Sequence, residues 1–294
     1  MTRRRVIVVG DVMLDVIAKP LARVASTSDT PASVHVGRGG AAANMAAALA
    51  ESGHEVVFVG ACGDDPARAI FTDALAREGV DVRLQVTSGV TGTVVAVVAD
   101  DAQRAMLTDR GANSLLDGSF ILAQLDEPFE HVHVSGYTLL DAATRAAGAS
   151  ALRFARERGR HSSVDVCSVG PLSHVTPEVF LAAAREASML FANEEEALAL
   201  SGELDVEDAL RSLARSFVEV LVTRGPHGAV AMCANEVARS ASRSDLVLDT
   251  TGAGDAATGA FLGARLHGAN LDDALALAMK ASARVVRALG ARAD

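Results

Sequence analysis

The stretch Asp249-Thr250-Thr251-Gly252-Ala253-Gly254-Asp255, followed by the small-residue run AATGAFLGARL, decides the fold of this chain. The Gly-Ala-Gly turn opens a predicted helix, and Asp255 lies on the first turn of that helix. Helix N-termini carry unpaired backbone N–H groups and the positive end of the helix dipole, so they attract anions. Glycines let the backbone approach such an anion closely.

The carboxylate of Asp255 indicates which chemistry this turn serves. An acidic residue would repel a phosphate that the turn only held in place. It is useful if the turn stabilises charge on a phosphoryl group in transfer while Asp255 takes a proton from the acceptor hydroxyl. We therefore predict that Asp255 is the base and that Gly252, Ala253 and Gly254 form an anion hole. The simpler interpretation is an acidic N-cap on a tightly packed helix.

Composition limits the other possibilities. The chain has 294 residues, half of them hydrophobic, which is enough for one large core. Its formal net charge of −10 argues against nucleic acid or an anionic membrane as a partner, but not against a small anionic ligand such as ATP. Cys62, Cys167 and Cys233 are far apart and indicate neither a zinc site nor a disulfide framework.

The chain carries no signal of a secretory or membrane protein. The apolar run after the first arginines stops at Asp11, too early for a signal peptide. We see no uninterrupted apolar span that would cross a membrane. We therefore expect a cytoplasmic location.

Apolar strand-like runs alternate with amphipathic helical runs along most of the sequence. This alternation predicts an α/β fold, with a doubly wound, mainly parallel sheet and helices on both faces. No linker divides residues 1–294, so we expect a single domain. Predicted strands include Val6–Val9 and Met189–Ala192, and predicted helices include Ala142–Arg158 and Leu271–Ala288.

Two segments interrupt the alternation, residues 16–36 and residues 91–110. The first contains Pro20, Pro31 and short alternating pieces, and the second is typical of a hairpin with a polar turn at Asp100–Gln103. Together they predict a small β-sheet apart from the main one, which we call the lid.

Polar residues at predicted turns supply further candidate ligands. Gly37–Asn44 contains a glycine pair before an Ala-rich helix, and Asn44 offers both donors and an acceptor to hydroxyl groups. Asp11 and Asp15 follow the first strand, where a carboxylate can accept hydrogen bonds from a sugar. Asn193–Glu196 begins a helix, and Thr223–Gly228 forms a glycine turn after a strand.

These motifs, in this order, resemble the signatures of the ribokinase-like (PfkB) carbohydrate kinases over nearly the whole chain. The resemblance implies transfer of a phosphoryl group from ATP, with Mg²⁺, to a sugar bound under the lid. It places the sugar acceptor at Asp15, Met13, Gly39, Gly40, Asn44 and Arg110. It places ATP at Asn193, Glu196, Thr223, Gly225, Gly228 and Met279, with Mg²⁺ held indirectly by Glu196.

The resemblance also implies two optional features. One is a K⁺ or other monovalent cation held by Asp249, Thr251, Val285, Ala288 and Gly290. The other is a homodimer formed through the lid, as family members often assemble.

The acceptor is a sugar or sugar acid in this interpretation, and three alternatives remain open. A nucleoside kinase usually grips its base with aromatic rings, and residues 12–40 and 88–112 contain none. A sugar-phosphate kinase needs a second cation, for which Arg38 could join Arg110. A non-catalytic sugar- or nucleotide-binding protein is the third. A Rossmann dehydrogenase is disfavoured because GDVMLD supplies one glycine instead of three.

Overall fold

Two β-sheets organise the chain, and the computed structural model describes residues 4–98, 104–243 and 250–287. The described strands are β1 (Arg5–Val9), β2 (Met13–Pro20), β3 (Ala32–Gly39), β4 (Glu55–Gly63), β5 (Val80–Thr87), β6 (Thr93–Val98), β7 (Arg104–Asp109), β8 (His131–Ser135), β9 (His161–Asp165), β10 (Met189–Asn193), β11 (Glu219–Thr223), β12 (Ala229–Cys233) and β13 (Glu236–Ser240). The described α-helices are α1 (Ala41–Glu51), α2 (Ala67–Arg77), α3 (Gly118–Gln124), α4 (Gly136–Leu140), α5 (Arg145–Glu157), α6 (Val169–Val175), α7 (Pro177–Ala184), α8 (Glu194–Ser201), α9 (Val206–Leu213), α10 (Ala253–Leu266) and α11 (Leu271–Val285).

The larger sheet has nine strands in the order β13-β12-β11-β10-β9-β8-β1-β4-β5. Neighbours from β11 to β5 are parallel, whereas β12 and β13 are antiparallel at one edge. The central strands β1 and β10 are almost fully buried, as strands covered on both faces require. The predicted doubly wound, mainly parallel sheet is therefore confirmed. The antiparallel edge is an addition that the sequence did not indicate.

The lid is a separate four-stranded sheet in the order β3-β2-β6-β7. Its strands extend beyond the predicted limits, because β2 begins at Met13 and β3 continues to Gly39. The reason is the antiparallel ladder between them, which runs on to pair Met13 with Gly39. β6 and β7 form the predicted hairpin, and its predicted turn at 100–103 lies outside the described residues.

Helices α1, α10 and α11 pack on one face of the large sheet, and α3, α5, α7, α8 and α9 pack on the other. The contact between α1 and α10 is unusually close because α10 carries glycines there. A Cβ atom at Gly259 would be 2.5 Å from Cβ of Ala48, and one at Gly263 would be 2.6 Å from Cβ of Ser52. This packing brings the N-terminus of α10 beside that of α1.

Some predicted helix limits were wrong by a few residues. Helix α5 begins at Arg145, not Ala142, because the Asp141 carboxylate accepts a hydrogen bond from the Ala143 amide and holds a turn there. Helix α11 ends at Val285 instead of Ala288. No helix in the described part of the chain is long and apolar enough to cross a membrane.

Candidate active site

A cleft of about 250 Å³ opens at the carboxyl ends of the parallel strands, under the lid. This edge of an open α/β sheet is where such folds bind ligands. Residues at the ends of β8, β9, β10 and β11 reach it, and lid strands cover it from the side. The lining residues are Asp11, Met13, Asp15, Gly40, Ala41, Asn44, Val94, Met106, Thr108, Arg110, Tyr137, Asp165, Cys167, Ala192, Asn193, Glu196, Thr223, Thr251, Gly252, Gly254, Asp255 and Thr258.

The Gly-Ala-Gly turn opens helix α10 at the floor of the cleft. Gly252 has φ of 73°, a left-handed conformation that favours glycine. The Ala253 amide belongs to the predicted anion hole, but it already donates a hydrogen bond to the Thr250 carbonyl oxygen at 3.2 Å. A Cβ atom at Gly254 would meet no described atom within 4 Å. The backbone of Gly254 is therefore open to a ligand.

Asp255 lies on the first turn of α10, half-buried at the floor of the cleft. Desolvation, together with the negative charges of Asp165, Asp11 and Asp15, raises the pKa of its carboxyl group to about 8. One hydrogen bond acts the other way: the Asn44 amide nitrogen lies 2.9 Å from Oδ2 of Asp255 and favours the charged form. A carboxyl group with this pKa can accept a proton near neutral pH.

Two further carboxylates, Asp165 and Glu196, lie across the cleft from the lid. Burial raises the pKa of both carboxyl groups, and the charge of Glu196 raises that of Asp165 further. Sequence analysis missed Asp165. Asp165 could have been found from its position at the end of β9, because the neighbouring strands β8 and β10 also end in polar residues.

Asn193 and Glu196 form a capping box at the start of α8. The Glu196 amide donates to Oδ1 of Asn193 at 2.8 Å, and the Asn193 amide donates to Oε2 of Glu196 at 2.8 Å. The structure therefore shows the capping role of these two residues. Both also line the cleft, and their role as ATP and Mg²⁺ ligands stays a prediction.

The remaining predicted ATP residues are not all gathered in the cleft. Thr223 lines it, at the end of β11. Gly225 and Gly228 lie in the turn that follows, and a Cβ atom at Gly228 would be 1.9 Å from the Ser240 carbonyl oxygen. Met279 lies on α11, is 5% exposed and packs in the core. A place for Met279 in the ATP site stays a prediction.

The lid side of the cleft holds the predicted acceptor residues Met13, Asp15, Gly40, Asn44 and Arg110. Gly40 has φ of 100°, and a Cβ atom there would be 2.6 Å from the Asp11 carbonyl oxygen, so the position requires glycine. Gly39 is not a lining residue.

Three residues that sequence analysis missed shape this side. The Arg110 guanidinium lies 4.7 Å from the centre of the Tyr137 ring, a cation–π contact. Cys167 also lines the cleft, and burial raises the pKa of its thiol. Asn113 fixes the turn before β2, because its side chain accepts from the Val12 amide at 3.0 Å and donates to the Val12 carbonyl oxygen at 2.9 Å.

Asp11 has a structural position at the rim of the cleft. Its Oδ2 accepts a hydrogen bond from the Ala41 amide at 3.0 Å, at the start of α1, and its Oδ1 accepts from the Ser135 hydroxyl at 2.8 Å. These contacts tie the loop after β1 to the start of α1 and to the end of β8.

Arg38 is not available as a second cation for a sugar phosphate. Its guanidinium binds Glu78 and Asn44, and Arg38 is not among the residues that line the cleft. Arg110 is the one Lys or Arg side chain among the described lining residues. Of the predicted cation ligands, Thr251 lines the cleft and Val285 is buried, while Asp249, Ala288 and Gly290 lie outside the described residues.

Known proteins resemble this chain along nearly its whole length. The model of the pfkB family of carbohydrate kinases matches residues 3–294. A ribokinase from Schizosaccharomyces pombe is 29% identical over 290 residues, covering 89% of this chain and 84% of the relative. The structure of an adenosine kinase from Sinorhizobium meliloti aligns with a TM-score of 0.87 and 26% identity, covering 99% of this chain and 96% of that one.

A ribokinase from Arabidopsis thaliana, solved with ribose and ATP, shares the fold. It aligns with a TM-score of 0.80 and 22% identity, covering 98% of this chain and 94% of that one. The family match, the two-sheet architecture and the order of the motifs agree. This chain therefore belongs to the pfkB family of carbohydrate kinases.

Proposed function

We propose that this carbohydrate kinase transfers the γ-phosphoryl group of ATP to a hydroxyl group of a sugar or sugar acid, with Asp255 as the base. The observation that carries the proposal is the position of the Asp255 carboxylate. It follows the Gly-Ala-Gly turn directly on the first turn of α10 and meets Asn44 from the acceptor side of the cleft. A base and an anion-binding turn thus occupy one end of one helix.

The acceptor hydroxyl donates its proton to the Asp255 carboxylate as its oxygen bonds to the γ-phosphorus. The bond from the γ-phosphorus to the bridging oxygen breaks, and ADP leaves. Asp15 and Asn44 orient the acceptor through its other hydroxyl groups. The Gly254 and Asp255 amides and the positive end of the α10 dipole stabilise the charge that builds on the transferred group. The lid sheet excludes water, which would otherwise take the phosphoryl group.

The opposite end of the cleft suits the phosphates of ATP. Asp165 and Glu196 are two carboxylates that repel each other, and the one Lys or Arg among the described lining residues, Arg110, lies on the lid side. Such a donor set fits a divalent metal ion, and Asn193 and Glu196 would hold Mg²⁺ through its water ligands. When bound, Mg²⁺ supplies charge neutralisation at the phosphates.

A nucleoside kinase is the second candidate function, and Tyr137 is the observation that favours it. The sequence argument against a nucleoside considered only the lid segments, whereas Tyr137 lies after β8 and lines the cleft. An adenosine kinase is also among the structural relatives. Against this, Arg110 already covers the ring of Tyr137, so the ring would have to leave its cation partner to stack on a base.

The test is release of ADP with Mg·ATP and a panel of pentoses, hexoses, sugar acids, sugar phosphates and nucleosides. We expect ADP release that depends on one acceptor class, with the phosphorylated product identified by ³¹P NMR. In Asp255→Asn we expect this release to be at least about 100-fold slower. A reaction without acceptor serves as the background. ATP binding by calorimetry without ADP from any acceptor would instead support the non-catalytic binding protein.

A further inference from the structure

A buried chain of polar contacts connects the lid to the base. Arg38 lies near the end of lid strand β3, and its side chain is 8% exposed. Its Nη2 donates to both carboxylate oxygens of Glu78, at 2.8 and 2.6 Å, and Glu78 caps the C-terminus of α2. Its Nη1 donates to Oδ1 of Asn44 at 2.8 Å. The Asn44 amide nitrogen donates to Asp255 at 2.9 Å.

The chemistry of these groups fixes the orientation of the Asn44 amide. A guanidinium can only donate hydrogen bonds, so the group that faces Arg38 must be the Asn44 carbonyl oxygen. The Asn44 NH₂ group is then left facing Asp255. In the reverse orientation, the carbonyl oxygen would face Asp255 and would accept a hydrogen bond from its protonated form. The amide therefore favours the ionised or the protonated carboxyl according to which way it points.

We propose that Arg38 is a positioning residue for Asp255: clamped by Glu78, it holds the Asn44 amide so that its NH₂ group, not its carbonyl oxygen, faces the base. The role of Asp255 as base rests on the proposed function. The orientation of the amide does not, because it follows from contacts within this chain.

The hydrogen bond from Asn44 is important because the charged groups around Asp255 disfavour ionisation of its carboxyl group. Asp11 in the turn before β2, Asp15 on β2 and Asp165 at the end of β9 each disfavour a second negative charge. Glu196 on α8 is also close enough for the two carboxylates to repel. Beside the positive end of the α10 dipole, the Asn44 amide is the side-chain contact that favours the charged form of Asp255. Losing its orientation would remove that favourable contact.

The test variant is Arg38→Met with Glu78→Met, which removes both charges together so that neither is left buried alone. The matched control is Arg239→Met with Glu207→Met, an ion pair between β13 and α9 outside the cleft lining. Two readouts are compared. One is the pKa of Asp255 in the unliganded protein, from ¹³C-aspartate NMR with the resonance assigned by its loss in Asp255→Asn. The other is the dependence of kcat on pH.

We expect the Arg38/Glu78 variant to raise the pKa of Asp255 by about one unit and to move the acid limb of kcat by the same amount. At pH values well below the pKa of Asp255, kcat of the variant is about tenfold lower than that of wild type. Above it, kcat stays within about twofold of wild type and KM for ATP is unchanged. The control pair moves neither readout. In an Asn44→Leu background, the Arg38/Glu78 substitutions no longer shift the pKa of Asp255.

An unchanged pKa of Asp255 in the Arg38/Glu78 variant would overturn the proposal, as would an equal shift in the Asn44→Leu background. Failure of the proposed function gives a different result. In that case the NMR pKa still moves with Arg38, while wild-type protein phosphorylates no acceptor of the panel.

Discussion

The carboxylate of Asp15 lies directly over Gly39 in the lid. A Cβ atom at residue 39 would be 2.2 Å from the carboxyl carbon and from both oxygens of Asp15. The two residues lie on the paired strands β2 and β3, two register positions apart, because Gly39 pairs with Met13 and Asp15 pairs with Gly37. Gly39 therefore matters to the site although it does not line the cleft. The Asp15 carboxylate occupies the space that a side chain at residue 39 would fill.

Gly39→Ala should displace Asp15 and weaken recognition of the acceptor. We expect kcat/KM for the acceptor to fall by about 100-fold, because a displacement of about 1 Å in a positioning group has effects of that size. KM for ATP should not change. Gly37→Ala is the matched control, since a Cβ there first meets the tip of the His35 ring at 3.2 Å. Equal losses in both variants would contradict this account of Gly39.

Asp255→Asn tests the base itself. The amide keeps the shape of the carboxyl and an acceptor for the Asn44 NH₂ group, but it cannot take a proton. We expect kcat to fall by about 10²- to 10⁴-fold, the usual contribution of a general base. ATP binding measured by calorimetry should be retained. Turnover like that of wild type in this variant would remove Asp255 from the mechanism.

The same substitution should change how stability depends on pH. The pKa of Asp255 is raised from 3.8 to about 8 in the folded chain, mainly by burial. Between these values the folded protein holds a proton that the unfolded chain releases. Stability of the wild type therefore falls as pH rises through this window, by at most about 1.4 kcal/mol per pH unit for this group.

Asp255→Asn has no such proton to lose. Its free energy of unfolding in urea should match that of wild type near pH 4 and exceed it increasingly up to pH 8. The exposed Asp272→Asn on α11 is the control and should track wild type throughout. A constant difference between Asp255→Asn and wild type at all pH values would show that burial does not hold this carboxyl neutral.

The sequence predicted the parts of the site that depend on local spacing. Asn193 and Glu196 are three residues apart, which is the spacing of a capping box, so their contact follows from helix geometry alone. The glycines before Asp255 likewise indicate a helix start. The alternation of strands and helices predicted the main sheet, because the spacing of apolar residues in each element shows which of its faces is buried.

The parts that could not be predicted are contacts between distant single residues. Asp165 and Tyr137 stand in no recognisable motif, and the order of strands in the main sheet brings them to the cleft. Arg38 was a candidate sugar-phosphate ligand, but the partner that engages it, Glu78, lies 40 residues away at a helix end. Periodicity reports burial along one element and carries no information on such pairs.

Glu196→Gln separates the ligand role of this residue from its capping role. Glutamine keeps an oxygen that accepts the hydrogen bond from the Asn193 amide, so α8 should remain intact. The lost charge should raise KM for Mg·ATP by about 10- to 100-fold, as for other groups that hold a metal indirectly. The exposed neighbour Glu195→Gln is the control. Unchanged KM for Mg·ATP with unchanged stability would leave Glu196 as a cap only.

The lid presents apolar side chains on both of its edge strands. Val34 and Val36 on β3 are 57% and 52% exposed, and Met106 and Leu107 on β7 are 59% and 65% exposed. Exposed edge strands with apolar side chains favour pairing with another chain. We therefore predict a homodimer formed through the lid.

Val34→Lys with Val36→Lys should convert this dimer to a monomer. These residues lie two apart on one strand and therefore on the same face, so a symmetric contact would bring lysines of the two copies together. The molar mass from light scattering should fall from twice 30.2 kDa to 30.2 kDa. The control is Val218→Lys with Leu277→Lys, apolar residues exposed outside the lid. A wild-type protein that stays monomeric at about 100 μM would contradict the predicted dimer. A dimer that persists in the lysine variant would show that the two copies meet through another surface.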